Sequence, residues 1–439
     1  MDHALAKSTL AKVTGRLIPF MFILYVANFL DRVNVGVAAL TMRQDIGLSA
    51  EAFGLGAGIF FIGYFFFEVP SNLILDKVGA RMWIARIMIT WGLISSLTMF
   101  TNSAAMFYIL RFLLGVAEAG FFAGMILYLT YWFPAADRAK AVAGFMAAIP
   151  VAGVIGNPIS GALLKLEGVA GLHGWQWLFL LEGLPSIILG IVVMFYLTDR
   201  PENADWLPAE SRSWLIGHLE AERREKESRA RINLLQALTN GRVWVLSLIY
   251  LGIVSSLYAF TIWLPTIIKG LSATTGNTAV AVISAIPFVF AAVAMILVGR
   301  SSDKLRERRW HVAAPAFVGA AGLMASIFCP NPVGAFISLI IAAVGIYSAL
   351  CPFWTFAPAF LTGAAAAGGI ALINSIGNLG GFLGPYVAGA VKTHTGSFTG
   401  ALWVLVAALV VAGVLALMMP HREPEARPEE LLAASQPAL

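Results

Sequence analysis

Apolar runs of about 20 residues recur along the chain from Leu17 to Leu417, separated by short polar segments. A helix rises ~1.5 Å per residue, so each run is long enough to cross a hydrocarbon core of ~30 Å. Strands of a membrane barrel would be about half that length and would alternate apolar with polar positions, which these runs do not do. The pattern predicts spans at 17–39, 52–75, 82–101, 106–133, 141–164 and 177–197, then 243–267, 278–299, 311–330, 333–361, 368–391 and 399–419. The fold class is therefore an all-α membrane protein with about twelve transmembrane helices, six on each side of a polar middle. The expected organisation is an N-terminal segment at 1–16, a six-helix bundle at 17–198, a central loop at 199–242, a second bundle at 243–419 and a tail at 420–439.

The polar segments differ in sign. Lys7, Lys12, Arg16, Lys77, Arg81, Arg138, Lys140, the cluster from Arg223 to Arg231, Lys304 to Arg309, Arg422 and Arg427 fall on one side of the predicted spans. The other side holds only Arg43, Lys165, Lys269 and Lys392. By the positive-inside rule both termini are expected in the cytoplasm. The basic N-terminus has no short apolar core followed by a cleavage motif, so the first span is expected to insert and stay. In the middle segment, SRSWLIGHLEAERREKESRAR mixes charges with Trp214, Leu215 and Leu219 at helical spacing, which predicts an amphipathic helix. The tail from His421 is polar and rich in Pro and Ala, and disorder is expected there.

Composition narrows the function. Of 439 residues, 59% are hydrophobic and 12% charged, and the mean hydropathy of +0.81 is far from that of soluble domains. A net charge of +5 follows from topology and gives no reason to expect nucleic-acid binding. Cys329 and Cys351 lie in or beside apolar runs without disulfide or metal spacing. No helix-borne H-E-x-x-H, P-loop or nucleophile motif is found, so neither an enzyme, nor an ATP-driven pump, nor a metal or other cofactor is expected.

The candidate chemistry lies in charges that interrupt the apolar runs. Asp31 and Arg32 are adjacent in the first span, and Arg111 and Glu118 share the fourth. A charge at mid-bilayer costs roughly 2.5–3.5 kcal/mol on insertion scales and usually faces a partner or a wet cavity. Arg111 and Glu118, two turns apart, share a helix face and are expected in one cavity roughly 10 Å from each other. Asp31 and Arg32 diverge by about 100°, so at least one should reach another helix. The planar fork of arginine suits a carboxylate ligand. Two buried ion pairs that merely lock helices together are the structural alternative. Glu68, just before Pro70, reads as a helix-end or gate contact, and Arg86 and Glu182 read as interfacial or structural residues near span ends. Trp354 sits between Pro352 and Pro358, where a broken helix could line a cavity or pack in the core; Asn374 and Asn378 share a face and could ligate a substrate or bond between helices. None of the six histidines lies deep in a span.

The two halves echo each other, as in a transporter built from repeats. Asp76-Lys77-Val78-Gly79-Ala80-Arg81 follows the second span, and Gly299-Arg300-Ser301-Ser302-Asp303-Lys304, closing with Arg308-Arg309, follows the eighth. Gly153, Gly156-Asn157-Pro158 and Gly161 in the fifth span answer Gly377, Gly380-Gly381, Gly384-Pro385 and Gly389 in the eleventh.

These loop signatures resemble the major facilitator superfamily, with Asn72 at the position of the usual leading glycine. More narrowly, LDRVNVGVA, FEVPSNLILDKVGAR, the spacing of Arg111 and Glu118, CPFWTFAPAFLTG and GIALINSIGNLGGFLGPY resemble its anion:cation symporter family, tartrate and hydroxyphenylacetate permease branch. The resemblance implies proton-driven import of a small organic anion by alternating access. It assigns proton handling to Asp31 and Glu118, anion binding to Arg32 and Arg111 with Tyr64, Trp354 and Asn374, and gating to the loops that hold Asp76, Arg81, Asp303 and Arg308. A tartrate-like hydroxy carboxylate is the first expected substrate, an aromatic carboxylate the second, with anion exchange or export as a further reading. The expected setting is a monomer in the lipid bilayer of a bacterial inner membrane, with protons as the co-substrate. In the empty site the two arginines and two carboxylates are expected to balance one another. An arriving anion would then take an arginine from its carboxylate and favour protonation of that carboxylate.

Overall fold

The computed structural model describes residues 2–134, 146–227, 239–272, 274–356 and 364–420, together with 137, 138, 141 and 144. The described residues form helices joined by short turns, without strands. The first half comprises α1 (Asp2–Val33), α2 (Val35–Asp45), α3 (Ala50–Val78), α4 (Ala80–Leu97), α5 (Ala104–Glu118), α6 (Phe121–Thr130), α7 (Ala148–Leu163) and α8 (Gly174–Tyr196). A connecting helix follows, α9 (Ala209–Glu227), with Leu215 and Ser211 buried where it packs toward α1. The second half comprises α10 (Gly241–Leu271), α11 (Asn277–Leu305), α12 (Arg309–Phe328), α13 (Pro332–Phe356), α14 (Ala364–Asn378), α15 (Gly380–Thr395) and α16 (Thr399–Met418).

Eleven of the described helical stretches are long and apolar enough to cross a membrane. The remaining predicted span, the eleventh at 368–391, is present as α14 and α15, of 15 and 16 residues, which meet at Leu379. Gly380-Gly381 and Pro385 weaken the backbone ladder there, so neither piece is long enough alone. The first span continues outward as helix to Asp2, well beyond its apolar run. Residues 228–238 of the central loop, 357–363 and the tail from 421 lie outside the described residues.

Without a hydrophobic drive between helices in lipid, close packing depends on small residues. Within the first half, Gly92 of α4 and Gly183 of α8 face each other so closely that a Cβ on Gly92 would lie 2.8 Å from the Gly183 carbonyl. Between the halves, a Cβ on Gly36 of α2 would lie 2.6 Å from the Ile262 carbonyl of α10, and one on Gly54 of α3 would lie 2.5 Å from the Pro385 carbonyl of α15. A Cβ on Gly161 of α7 would lie 2.6 Å from that of Ala281 on α11. Gly54, Gly161 and Ala281 sit toward the end that carries the α2–α3, α7–α8 and α10–α11 loops, opposite the end where α1 begins and α16 stops. At that end the halves are pressed together.

Gly54→Ala should cost the arrangement closed at this end about 1–3 kcal/mol by overpacking, which shifts a two-state equilibrium about 5- to 150-fold toward the alternative arrangement. Spin labels on the α2–α3 and α15–α16 loops should therefore report longer distances in the variant. Unchanged distances would show that the glycine approach does not hold the halves together.

Candidate functional site

The first span is broken. α1 stops at Val33, Asn34 stands in a turn, and α2 restarts at Val35. The fourth span is broken too, since α5 ends on Glu118 and Gly120 takes φ +85°. A Cβ on Gly120 would collide with the Ser71 hydroxyl, so this turn needs glycine for both its backbone angle and its space. Each break carries charge: Asp31 and Arg32 in the last turn of α1, and Glu118 as the last residue of α5. A helix C-terminus favours a cation, which suits Arg32 and leaves Glu118 to be held by a partner.

That partner is Arg32. Its Nε donates to Glu118 Oε1 at 2.9 Å, and its Nη2 donates to the same oxygen. Its Nη1 donates to the Tyr258 hydroxyl of α10 at 2.8 Å, across the boundary between the halves. The guanidinium also lies 5.2 Å from the centre of the Phe60 ring and 5.3 Å from that of Tyr64, distances at which a cation is attracted to the ring face. Glu118 Oε2 has no hydrogen-bond partner among the described residues.

Arg32 borders a cavity of about 50 Å³ between the halves, whose lining includes Tyr25, Tyr64, Tyr250, Tyr258, Asn374 and Asn378. That space holds a few waters and is smaller than a pocket for an organic ligand, so a substrate requires the halves to move. Asn374 Nδ2 donates to Glu68 Oε1 at 3.0 Å, a second bond between the halves. Trp354 stands behind the lining, edge-on to Tyr250 with ring centres 4.9 Å apart.

Arg111 and Asp31 do not border this cavity. Arg111 Nη2 donates to the Ala57 carbonyl of α3 at 3.3 Å, and its guanidinium is 5.2 Å from the Phe60 ring centre, so one ring contacts both arginines. The single chamber expected for Arg111 and Glu118 is thus revised: close packing of α5 on α3 at Gly115 and Gly63 turns Arg111 into the protein. Asp31 turns the other way, accepting hydrogen bonds from Trp91 Nε1 at 3.0 Å, Ser95 Oγ at 2.9 Å and Ser186 Oγ at 2.5 Å. The pair of neighbours does diverge as helical geometry requires.

A family model described as the Major Facilitator Superfamily matches residues 21–385. The chain belongs to the Major Facilitator Superfamily. It is 52% identical over 428 residues to a protein of Agrobacterium vitis named "Putative tartrate transporter", covering 97% of this chain and 94% of that one. It is 43% identical to the "Putative metabolite transport protein NicT" of Pseudomonas putida, covering 96% of each chain. A crystal structure of a bacterial homolog to the human lysosomal transporter Spinster shares the fold, with a TM-score of 0.75 at 18% identity over 92% of this chain and 96% of that one. The protein is a multi-pass membrane transporter of a small molecule, not an enzyme.

Within this superfamily fold, the residues of the two repeat loops are placed as follows. The backbone N–H of Arg81 donates to Asp199 Oδ1 at 2.8 Å, and its side chain pairs with Oδ2 at 3.6 Å, tying the start of α4 to the segment after α8. Arg308 pairs with Asp303 at 2.6 Å and donates to Ser302 Oγ at 2.9 Å. The side chain of Asp76 lies outside the described residues.

Two residues were not anticipated by sequence reasoning, and a third was placed at the wrong depth. Tyr258 lies mid-run in the seventh span, where an aromatic reads as packing. Asp199 carries no motif of its own. Glu182 was read as lying near a span end, but α8 begins at Gly174, more than two turns before it, and Glu182 is 4% exposed with Ser160 Oγ donating to its Oε1 at 2.6 Å.

Glu118→Ala should lower the stability of the purified protein by about 3–5 kcal/mol, because it strands the Arg32 charge in a buried site. Glu118→Gln also removes the counter-charge but keeps an oxygen acceptor for the guanidinium, and should cost less than Glu118→Ala. Equal thermal unfolding of the two variants would show that the Arg32–Glu118 pair does not hold the two helix breaks.

Proposed function

We propose that the chain is a proton-coupled symporter that imports a small organic anion by alternating access, with a tartrate-like hydroxy carboxylate as substrate. The observation that carries this reading is Arg32, buried beside the cavity and bonded at once to Glu118 of its own half and Tyr258 of the other. An entering carboxylate competes for that guanidinium, which stays charged when desolvated and offers a two-pronged donor face. Once Arg32 turns to the substrate, Glu118 loses its counter-charge and takes a proton, so the loaded site reorients without a bare negative charge. Tyr64 and Asn374 border the same space, while Trp354 supports it through Tyr250. In this scheme Arg111 is a reserve of positive charge behind Phe60 that a closing movement brings to the anion, and Asp31 takes part in proton handling from behind the site. The Arg81–Asp199 and Asp303–Arg308 contacts, together with Asp76, act as gating ties as the two bundles, 17–198 and 243–419, rock about the site.

The similarity to proteins named as tartrate transporters favours the hydroxy carboxylate. A second reading, an aromatic carboxylate, is favoured by the ring lining of the cavity: Tyr25, Phe29, Tyr64, Phe122, Tyr250 and Tyr258. The excess of Lys and Arg in alternate polar segments supports cytoplasmic termini, and the bacterial relatives support an inner membrane, where the protein is proposed to work as a monomer.

Proteoliposomes loaded at alkaline pH and diluted into acid should accumulate labelled tartrate, and dissipating the gradient should abolish accumulation. Glu118→Gln should keep tartrate counterflow but lose gradient-driven accumulation, and Arg32→Lys should weaken uptake affinity at least tenfold. Undiminished accumulation in Glu118→Gln would overturn its assigned role. Thermal stabilisation by 4-hydroxyphenylacetate but not by tartrate would decide for the aromatic acid.

A further inference from the structure

Six charged side chains are buried among the described residues, all in the first half: Asp31, Arg32, Glu68, Arg111, Glu118 and Glu182. The balance is four carboxyls against two guanidiniums. Arg32 is committed to Glu118, and Arg111 to a backbone carbonyl. Asp31 and Glu182 form no ion pair among the described residues.

These two acids belong together. Ser186, which donates to Asp31, lies one turn after Glu182 on the same face of α8, so the two acids are held on neighbouring turns of one helix face. Glu182 Oε1 accepts from Ser160, while the buried Oε2 has no hydrogen-bond partner among the described residues. Of the other charged groups on the elements packed here, Arg81 of α4 pairs with Asp199, Arg16 of α1 lies over the Tyr196 and Trp206 rings, Lys165 between α7 and α8 is exposed, and Glu118 adds its negative charge on the far side of Asp31. On α4, Trp91 and Ser95 bond Asp31, and Arg86 lies over the Trp83 ring. On α2, Arg43 lies over the Trp263 ring of α10, and Asp45 accepts from Trp175 Nε1. α7 contributes Ser160 and no charged residue. Arg111 feels the charge of Asp31 but bonds Ala57. Burying two unpaired carboxylates together is far costlier than burying one carboxylate and one neutral acid. Asp31, with three donors aimed at it, is the better-held carboxylate; Glu182, with one serine donor, is the better-placed acid.

We propose that Glu182 is a proton-holding residue that stays neutral beside an ionised Asp31, forming a second acid store behind the Arg32–Glu118 site. Glu182 is about 13 Å along the helix from His173, whose ring at the α8 N-terminus lies 2.8 Å from Glu167 and 3.5 Å from Asp45. These exposed or half-exposed titratable groups lie at the end where the halves are closed. The inference rests on the proposed symport for the use of that proton, but not for its presence.

Infrared difference spectra of the full chain in lipid nanodiscs, taken between neutral and alkaline pH without substrate, test it. The wild type should show the carbonyl band of a protonated carboxylic acid. Glu182→Gln should remove at least half of its intensity, and Glu68→Gln should leave most of it. Where Glu182→Gln fails to fold, Ser160→Ala, which deletes the hydroxyl on Glu182, should shift the band. No band in the wild type, a band undiminished in Glu182→Gln, or one unshifted in Ser160→Ala overturns the proposal. Tartrate uptake that ignores a pH gradient would count against the symport instead, and would leave the band in place.

Discussion

A guanidinium cannot be left alone in the middle of a membrane protein, and much of the arrangement around Arg32 follows from that. Three of its bonds reach two residues, Glu118 and Tyr258, and four rings surround it, Phe60 and Tyr64 nearest, then Phe29 and Phe61. The breaks after Val33 and Glu118 bring these groups together, because an unbroken α1–α2 or α5–α6 helix would keep its backbone groups satisfied and its side chains on a fixed spiral. The turn at Gly120 permits the second break, and Asn34 occupies the first.

The halves contribute unequally. All the buried charge among the described residues lies in the first six spans, while the second half offers hydroxyls and amides such as Tyr258 and Asn374. Charge needs compensation within a rigid unit, whereas a neutral donor can be gained or released as the units move. Tyr258 and Asn374 therefore suit contacts that are made and broken, and the glycine approaches at Gly36, Gly54 and Gly161 suit a seam that closes without side chains in its way. The small cavity belongs to a state in which that seam is shut.

Much of this was legible in the sequence. Apolar runs located the spans, because a bilayer demands their length, and an all-helical superfamily fold followed from their number and the repeated loop signatures. Asp31, Arg32, Arg111 and Glu118 stood out because charge inside such runs is rare. Their neighbours were less legible. Helical spacing set Arg111 and Glu118 on one face, but not which helix would cover that face; Gly63 and Gly115 let α3 come close enough to enclose Arg111. The depth of Glu182 was hidden because its span begins three residues earlier than the apolar run suggested, at Gly174. Tyr258 could not be separated from packing aromatics without knowing that α10 faces the other half.

The central claim is an exchange: an anion takes Arg32 from Glu118, and Glu118 takes a proton. Its most direct test is the pH change when tartrate is mixed with the purified protein in weakly buffered solution, read with an indicator dye. The account predicts alkalinisation of the medium, about one proton taken up per anion bound, and its disappearance in Glu118→Gln. Saturable tartrate binding with no proton uptake, or with equal uptake in Glu118→Gln, would contradict it.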